Sequence, residues 1–366
     1  MRVEAIFTTL LAQSPLARTE LAALTGYSPS TVTGIIHDLT AAGYVREVGQ
    51  KQSTGGRRRT LIEFDRSSIT IAVITVGGRK IKATLVDLNA DVVGSVEQAF
   101  NPLKPIESAS DAVATLVDES IVRPSRVVLA LPGVVGSDGS VTLAPSFGSV
   151  PRLALADTLS HATGIPVIVE NDVNLIALGE RVDGAGAGVN DLVLIHIGEG
   201  IGATIIIGGR VLDGSSRSAG EIGFLPQGME DYSSGERGQF EKKWSTPGIE
   251  VAALQAGITV NSTRLIASLC ADQSDAARKL VEEMVSAWAF AAIVCVCVVN
   301  PNRVIFSGDA EGLDVVAQQL LRARVHAGAP SPTDVEFAVL GDKSILHGSV
   351  AKVLMTSTAL LAETLA

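Results

Sequence analysis

A segment near the N-terminus combines residue types and spacing that suit contact with nucleic acid. Ser28 and Pro29 predict the start of a helix over residues 29–42, because serine is a favoured N-cap and proline a favoured first helical residue. One face of this helix is apolar: Val32, Ile35, Ile36 and Leu39. The opposite face carries short polar side chains and a glycine that permits close backbone approach: Ser30, Thr33, Gly34 and His37. On an isolated helix such a face is usually only solvated, so its surroundings decide between the two interpretations.

These surroundings favour DNA binding. Residues 4–13 predict a first helix, and Thr19 is the expected N-cap of a second one that stops at Gly26. After the third helix, the β-like segments YVREV and TLIEF flank a flexible basic stretch. Three helices, the second and third joined by a glycine turn, followed by a two-stranded ribbon are typical of a winged helix-turn-helix. We expect residues 1–66 to form this domain.

The tip of the predicted wing reads Gly55-Gly56-Arg57-Arg58-Arg59. An arginine on a glycine-rich tip suits the narrow, electronegative minor groove of an A·T-rich site, whereas a solvated charged loop is the plainer interpretation. Residues 1–66 hold eight basic and six acidic residues, a balance of +2. Since the net charge of the whole chain is −10, the remainder carries −12. We therefore expect DNA to meet only the N-terminal domain. The predicted DNA contacts are Ser28, Ser30, Thr31, Thr33, His37, Arg57, Arg58 and Arg59.

From residue 69 onward, short β-branched runs alternate with helical stretches. Three successive strands are predicted at 69–76, 81–88 and 92–98, then a helix near 106–120, a strand at 127–133, a helix near 152–163 and a strand at 166–170. A second set begins with strands at 191–198 and 202–209, and later includes strands at 304–306 and 335–340. Two such halves predict an α/β protein with a cleft between two lobes.

Five segments within this body carry a resemblance to a known family. In order they are ITVGGRK (74–80), ALPGVV (130–135), VENDVNLIALGE (169–180), IGEGIGA (197–203) and SAGEIGFLP (218–226). With the winged helix in front, the chain resembles the ROK family of repressors, open reading frames and kinases. The resemblance implies a two-lobed actin-like (ribonuclease H-like) sugar-kinase fold over residues 67–366. Its lobes would cover roughly 67–180 with the C-terminal helix, and 190–345.

The resemblance also implies a sugar-binding set: Asn171, Asp172, Glu221 and Glu241. In the family the residue matching Asn171 binds sugar hydroxyls, and the one matching Asp172 is the general base of phosphoryl transfer. From the residues alone, Glu170-Asn171-Asp172 is equally a helix N-cap.

The nucleotide-binding segments depart from the family pattern. The first phosphate turn, usually like D-x-G-G-T, has Thr75 and Arg79 at its ends. The second has Glu199 where threonine is usual, and the C-terminal turn is Ser307-Gly308-Asp309. Carboxylates here would repel a triphosphate, so we predict a body that no longer phosphorylates, with no catalytic residues and no cofactor.

The zinc site of the family is not expected either. Phe224 stands where the family has a zinc-binding histidine, and residues 232–239 lack every cysteine of the usual C-x-C-G-x-x-G-C loop. No tetrahedral site can be assembled without those ligands. The segment GEGIGA also fits a dinucleotide-binding pattern, but the β-branched run after it predicts a strand rather than the required helix. We reject a nicotinamide site.

Bulk features place the chain in the cytoplasm. No secretory signal is visible. The longest apolar run, Ala287–Val299, is too short to cross a bilayer and predicts a buried element. Residues 261–300 as a whole predict two helices. Three cysteines cannot form a disulfide framework, so we expect Cys270, Cys295 and Cys297 to be buried and reduced. The remaining histidines, at positions 161, 196, 326 and 347, show no ligand spacing and are interpreted as structural.

Three functions remain open from the sequence. The leading hypothesis is a DNA-binding transcriptional regulator, most simply a repressor, of carbohydrate metabolism. It would bind a double-stranded operator as a homodimer or a dimer of dimers, with a sugar or sugar derivative as effector and no membrane partner. Ligand in the cleft would shift the population between DNA-competent and DNA-incompetent dimers. The alternatives are an ATP-dependent sugar kinase that retains a DNA-binding head, and a constitutive repressor whose cleft binds nothing.

The wing assignment is testable by mutation. Arg57→Ala is expected to weaken operator binding by about 1–3 kcal/mol, because a groove contact is lost. A gel-shift titration measures this, and the ligand-induced thermal shift of the same variant is the control and should not change. Unchanged operator affinity would contradict the assignment.

Overall fold

The computed structural model describes residues 2–51, 59–136, 141–142, 155–226 and 237–356. The chain divides into two compact units. Unit 1 comprises Met1–Leu131, Ser146–Val169 and Ser349–Ala366, and unit 2 comprises Pro132–Pro145 and Glu170–Gly348.

The N-terminal part of unit 1 is a winged helix-turn-helix. Its helices are α1 (Arg2–Gln13), α2 (Arg18–Thr25) and α3 (Pro29–Ala41). The strands β1 (Leu16–Ala17), β2 (Val45–Lys51) and β3 (Arg59–Phe64) form an antiparallel sheet in the order β1-β3-β2. The rings of Phe7 and Phe64 pack edge to face with centroids 4.9 Å apart, so the core joins the first helix to the sheet.

The caps of the two central helices differ in how well the sequence predicted them. Ser28 caps α3 as expected, since its hydroxyl accepts the backbone N–H of Thr31 at 3.2 Å. Thr19 as the N-cap of α2 is wrong. The N-cap is Ala17, two residues earlier, and its N–H donates to the Glu20 carboxylate at 2.9 Å. A glutamate at the third helical position thus accepts the N–H of the N-cap residue, although that residue has no capping side chain.

The rest of unit 1 is built on a five-stranded sheet. Strands β4 (Thr70–Gly77), β5 (Lys80–Asp87) and β6 (Val92–Ala99) form the predicted meander, and β7 (Arg126–Leu131) runs parallel to β4. With β10 (Val167–Asn171) the order is β10-β7-β4-β5-β6. Two helices, α4 (Pro105–Ser120) and α5 (Leu155–Thr163), belong to this unit. The border between the units falls inside β10, at Val169 and Glu170.

Unit 2 contains the second five-stranded sheet. Its strands are β11 (Leu192–Ile197), β12 (Ile201–Ile207), β13 (Arg210–Val211), β14 (Arg303–Gly308) and β15 (Asp334–Phe337), in the order β13-β12-β11-β14-β15. Here β11 and β12 form the predicted antiparallel hairpin, whereas β14 is parallel to β11. A short pair, β8 (Val134–Val135) and β9 (Val141–Thr142), also belongs to the unit. Its helices are α6 (Asp172–Asp183), α7 (Gln239–Trp244), α8 (Thr246–Gln255), α9 (Leu265–Ala271), α10 (Asp275–Val299) and α11 (Val315–Gly328), and α12 (Ser344–Thr356) begins in it.

Helix α10 is the central helix of unit 2. It has 25 residues, so by length and composition alone it could cross a membrane. The prediction that this segment is too short rested only on the apolar run Ala287–Val299. Half of its most apolar window is buried within the protein, and Trp288 donates its indole N–H to the carbonyl of Trp244 at 3.1 Å. These contacts are those of a core helix. Cys295 is buried on it, but the expectation for Cys297 is wrong because its side chain is exposed, and Cys270 is only half-buried.

A buried carboxylate fixes the end of α6. Glu180 is 0% exposed and accepts hydrogen bonds from the backbone N–H groups of Ala185 and Leu340, at 2.8 and 2.9 Å. It also accepts the N–H of Val339 at 3.2 Å and the hydroxyl of Ser344 at 2.9 Å. A carboxylate can be buried in this way because both of its oxygens accept hydrogen bonds. The single side chain therefore ties α6 to the start of α12.

Removing this carboxylate should destabilise unit 2. Glu180→Ala leaves several buried donors without an acceptor, and we expect it to lower the unfolding free energy by at least about 3 kcal/mol. Urea unfolding followed by tryptophan fluorescence measures it, since both tryptophans, Trp244 and Trp288, lie in this unit. The control is Glu283→Ala, which removes an exposed pair with Lys279 at 3.9 Å and should cost under about 0.5 kcal/mol.

Candidate functional site

The polar face of α3 is available for contact. Ser28, Ser30, Thr33 and His37 are exposed, and Thr31 is half-buried. The hydroxyl of Ser28 lies 2.9 Å from that of Ser30 and 2.8 Å from that of Thr31, while Thr33 donates to the carbonyl of Pro29 at 2.8 Å. The apolar stripe is buried on the other side, at Val32, Ile36 and Leu39. The amphipathic pattern predicted from the sequence is confirmed, and the DNA contacts of these residues stay predictions.

The wing is described only in part. Arg57 and Arg58 lie outside the described residues. Arg59 is the first residue of β3, is exposed, and pairs in register with Lys51. Farther down the ribbon, Arg46 forms an exposed ion pair with Glu63 at 3.3 Å. The described base of the wing is therefore a paired antiparallel ribbon that carries the basic side chains of Arg46 and Arg59.

A polar pocket lies within unit 2. Four segments form its walls: residues 133–135 after β7, the end of β10 with the start of α6, the start of β12, and the loop after β13. Close contact between the last two is possible because of a glycine. Gly220 has φ +93°, and a Cβ there would lie 1.8 Å from the carbonyl oxygen of Ala203, so only glycine fits.

Asn171 is both the cap of α6 and a wall of the pocket. Its side-chain oxygen accepts the N–H of Asn174 at 3.0 Å, and its amide donates to the carbonyl of Gly133 at 2.8 Å. The neighbouring Glu170 accepts the N–H of Asn171 at 2.9 Å and the side-chain amide of Asn174 at 3.0 Å. The capping and pocket interpretations thus hold together, because the network that starts the helix also presents polar atoms to the pocket.

Glu221 faces the pocket from the loop after β13. Burial raises the pKa of its carboxyl, and the negative charges of Glu241 and Asp172 raise this pKa further. Among the described residues, its carboxylate has no hydrogen-bond donor or ion-pair partner. A ligand hydroxyl in the pocket would supply the hydrogen-bond donor that the Glu221 carboxylate lacks.

Asp172 and His196, both half-buried, form an electrostatic pair beside the pocket. Burial raises the pKa of Asp172 and lowers that of His196, while the charge of each opposes the shift of the other. The Nδ1 atom of His196 lies 3.1 Å from the hydroxyl of Ser307, its register partner on β14. Asp172 accepts the N–H of Val173 at 2.8 Å and is not among the residues that line the pocket. The sequence did not single out His196, because its contact with Ser307 depends on the parallel pairing of β11 and β14.

Glu241 has a structural contact that its predicted role did not foresee. Its Oε2 accepts the N–H of Ile201 at the start of β12, at 3.1 Å, and its Oε1 lies 3.6 Å from Arg237. A Cβ at Gly200 would lie 2.9 Å from the same carboxylate, so glycine makes room for it. Glu241 does not line the pocket, and its contact with sugar stays a prediction.

The pocket also contains residues that the sequence analysis missed. Asn174, Asp213 and Arg217 line it, and Arg217 has a left-handed backbone with φ +58°. A non-glycine residue in that conformation was the signal, but the sequence alone does not reveal φ.

The turns that would hold nucleotide phosphates contain other groups. Gly308 has φ +72°, and a Cβ there would lie 2.2 Å from the carbonyl oxygen of Ile197 and 2.6 Å from the His196 ring. Next to it, Asp309 accepts the hydroxyl of Thr246 at 2.5 Å, and the N–H of Thr246 donates to Gly198 at 2.9 Å. In unit 1, Gly78 and Arg79 form the tight turn between β4 and β5.

No group of metal-binding side chains occurs among the residues the structure describes. Phe224 is 44% exposed, and of the predicted zinc-loop segment 232–239, residues 232–236 lie outside the described residues.

Comparison with known proteins places both parts of the chain. Residues 71–355 match the ROK family, and residues 6–49 match the IclR helix-turn-helix domain. The chain belongs to the ROK family.

The curated relatives include sugar repressors. The chain is 27% identical to the xylose repressor of Bacillus subtilis (strain 168) over 241 residues, which cover 63% of this chain and 62% of the relative. It is 26% identical to the N-acetylglucosamine repressor of Escherichia coli O157:H7 over 346 residues, 89% of this chain and 84% of the relative. The match thus spans 62% of the length of the first of these relatives.

Solved structures confirm the predicted fold class. A ROK family transcriptional regulator, a homologue of the E. coli MLC protein, superposes with a TM-score of 0.82 at 20% identity and covers 99% of this chain and 98% of its own. The ROK hexokinase from Thermus thermophilus has a TM-score of 0.65 at 24% identity and covers 77% of this chain and 97% of its own. The fold of that regulator therefore matches this chain over both the winged helix and the ROK body, whereas the hexokinase covers only 77% of the chain.

The electrostatics of Glu221 predict a pH effect on stability. The pKa of its carboxyl in the folded state lies above the usual 4.5. Ionising the carboxyl therefore lowers the free energy of unfolding once the pH exceeds the pKa of the unfolded state, whereas well below that pH the group is protonated in both states and has no such effect. Glu221→Gln should raise the melting temperature at pH 7, and the difference from wild type should vanish below about pH 4. Differential scanning fluorimetry across pH measures it. Glu119→Gln, at an exposed acid of α4, is the control, and an equal response in both variants would contradict the assignment.

Proposed function

We propose that this protein is a cytoplasmic, sequence-specific DNA-binding repressor of carbohydrate metabolism, whose ROK body serves as an effector receptor and has no kinase activity. One observation carries the proposal: an exposed polar helix face in a winged helix-turn-helix domain is fused to a body that keeps its pocket but places acids in the phosphate turns. The proposed domains are the winged helix over 1–66 and the effector domain over 67–366.

Support for DNA binding comes from α3 and the wing. Short side chains on an exposed helix face can reach base edges in a major groove, while a basic ribbon approaches the neighbouring minor groove. One such module makes few base contacts, so we propose a homodimer on a pseudo-palindromic site. The names of the repressor relatives agree with this reading.

Support for a receptor rather than an enzyme comes from unit 2. Glu170, Asn171 and Glu221 present hydrogen-bonding groups around the pocket. Phosphoryl transfer would also need phosphate and metal positioning. Glu199 and Asp309 instead place carboxylates in the turns that precede β12 and follow β14, where a triphosphate would be repelled.

The DNA-binding part is tested by selecting operators from random duplexes with the full chain. The selected site should be pseudo-palindromic, and its affinity should fall steeply as salt rises from 50 to 200 mM. The double variant Thr33→Ala, His37→Ala should lose about 1–3 kcal/mol of binding for each base contact removed. Thr115→Ala is the matched control, because Thr115 makes the same hydroxyl bond to the preceding turn of α4, at 2.9 Å. Failure to select any sequence would contradict the proposal.

The kinase alternative is tested separately by coupled ADP release across hexoses, pentoses and amino sugars. We expect no turnover above background. Robust turnover that disappears in Asp172→Ala would overturn the receptor assignment and establish a kinase with a DNA-binding head.

A further inference from the structure

One residue of the pocket adopts a backbone conformation that its side chain disfavours. Arg217 has φ +58°, in the left-handed region where glycine is at ease and a β-carbon is not. It lies in the loop between β13 and Glu221, and its side chain lines the pocket. A strained position occupied by the largest cationic side chain calls for an explanation in what the side chain contacts.

The contacts of Arg217 within the protein are long. One terminal nitrogen lies 3.5 Å from the carbonyl oxygen of Gly136, and the other lies 3.6 Å from a carboxylate oxygen of Asp213. A charged guanidinium normally donates at about 2.7–2.9 Å, and it has five N–H groups to offer. Asp213 is itself 47% exposed, so this pair is weak and its partner can turn towards solvent. Arg217 is thus the under-used donor of the pocket.

The other charged residues lining the pocket are acceptors. Glu170 is held by the N–H groups of Asn171 and Asn174, at 2.9 and 3.0 Å, whereas Glu221 has no donor among the described residues. Carboxylates of this kind accept the hydroxyl groups of a carbohydrate. A neutral sugar would satisfy Glu221 but would leave the guanidinium with its two long contacts.

We propose that the effector is a carbohydrate that bears an anionic group, a carboxylate or a phosphate, and that Arg217 recognises this group. The inference rests on the proposed function, since it concerns the ligand of the same receptor pocket. The anion accepts two parallel N–H groups of Arg217 and displaces Asp213, while the ligand hydroxyls donate to Glu221. Arg217 thereby determines the charge class of the effector.

Isothermal titration of the full chain compares six probes: glucuronate, gluconate, glucose 6-phosphate, glucose, xylose and glucosamine. We expect at least one anionic probe to bind more tightly than glucose, xylose and glucosamine. The carboxylate and phosphate arms show which anion the site accepts.

Arg217→Gly removes the guanidinium and places at φ +58° the residue best suited to it, so the fold is retained. It should weaken binding of the anionic probe roughly 10- to 100-fold, the loss of a charge-assisted contact. Asp213→Asn removes the competing carboxylate and should tighten binding of the same probe. Its exposed counterpart, Asp275→Asn at the start of α10, should leave binding unchanged.

Tight binding of a neutral or amino sugar with equal affinity in wild type and Arg217→Gly would overturn this inference and leave the sugar-responsive regulator intact. If none of the anionic probes binds, this inference fails, while DNA selection still tests the repressor role by itself.

Discussion

Helix α6 is fixed at both ends by buried polar side chains, and the pocket depends on that constraint. At its start, Asn171 accepts the backbone N–H of Asn174 and donates to the loop after β7, while Glu170 accepts the N–H of Asn171 and the side-chain amide of Asn174. At its end, Glu180 accepts donors from residues 339–344. Each of these bonds must be made, because an unpaired polar group buried there would cost more than the bond contributes. The orientation of α6 is therefore determined by the same residues that present polar atoms to a ligand.

Close backbone approach at glycines packs α6 against α12 and holds one wall of the pocket against β12. Gly179 and Gly348 leave no room for a Cβ, which would lie 2.0 and 1.8 Å from the carbonyl oxygens of Ser344 and Leu175. Gly220 does the same against Ala203. The packing at these glycines involves backbone atoms, and it is separate from the side chains of Glu199 and Asp309 in the turns that precede β12 and follow β14.

Much of this arrangement could be predicted from local sequence patterns. The caps and the apolar stripe of α3 identified the head, and five short motifs in order identified the body. The failures have a common physical cause, which is that they depend on tertiary contacts. Cys297 lies on a helix whose exposed side is set by its neighbours, and Glu20 rather than Thr19 satisfies the start of α2. The pairing of His196 with Ser307 needs two parallel strands that lie 111 residues apart in the chain. The left-handed backbone of Arg217 is likewise set by its loop and not by its residue type.

The central claim is that occupancy of the ROK pocket and occupancy of an operator are coupled in one chain. The most direct measurement is the affinity of the full chain for its selected operator, by fluorescence anisotropy, with and without a saturating carbohydrate that binds the pocket. Linkage predicts that the two dissociation constants differ by about 5- to 150-fold, and that operator changes the carbohydrate affinity by the same factor. Equal operator affinities in the presence and absence of the bound carbohydrate would contradict the account.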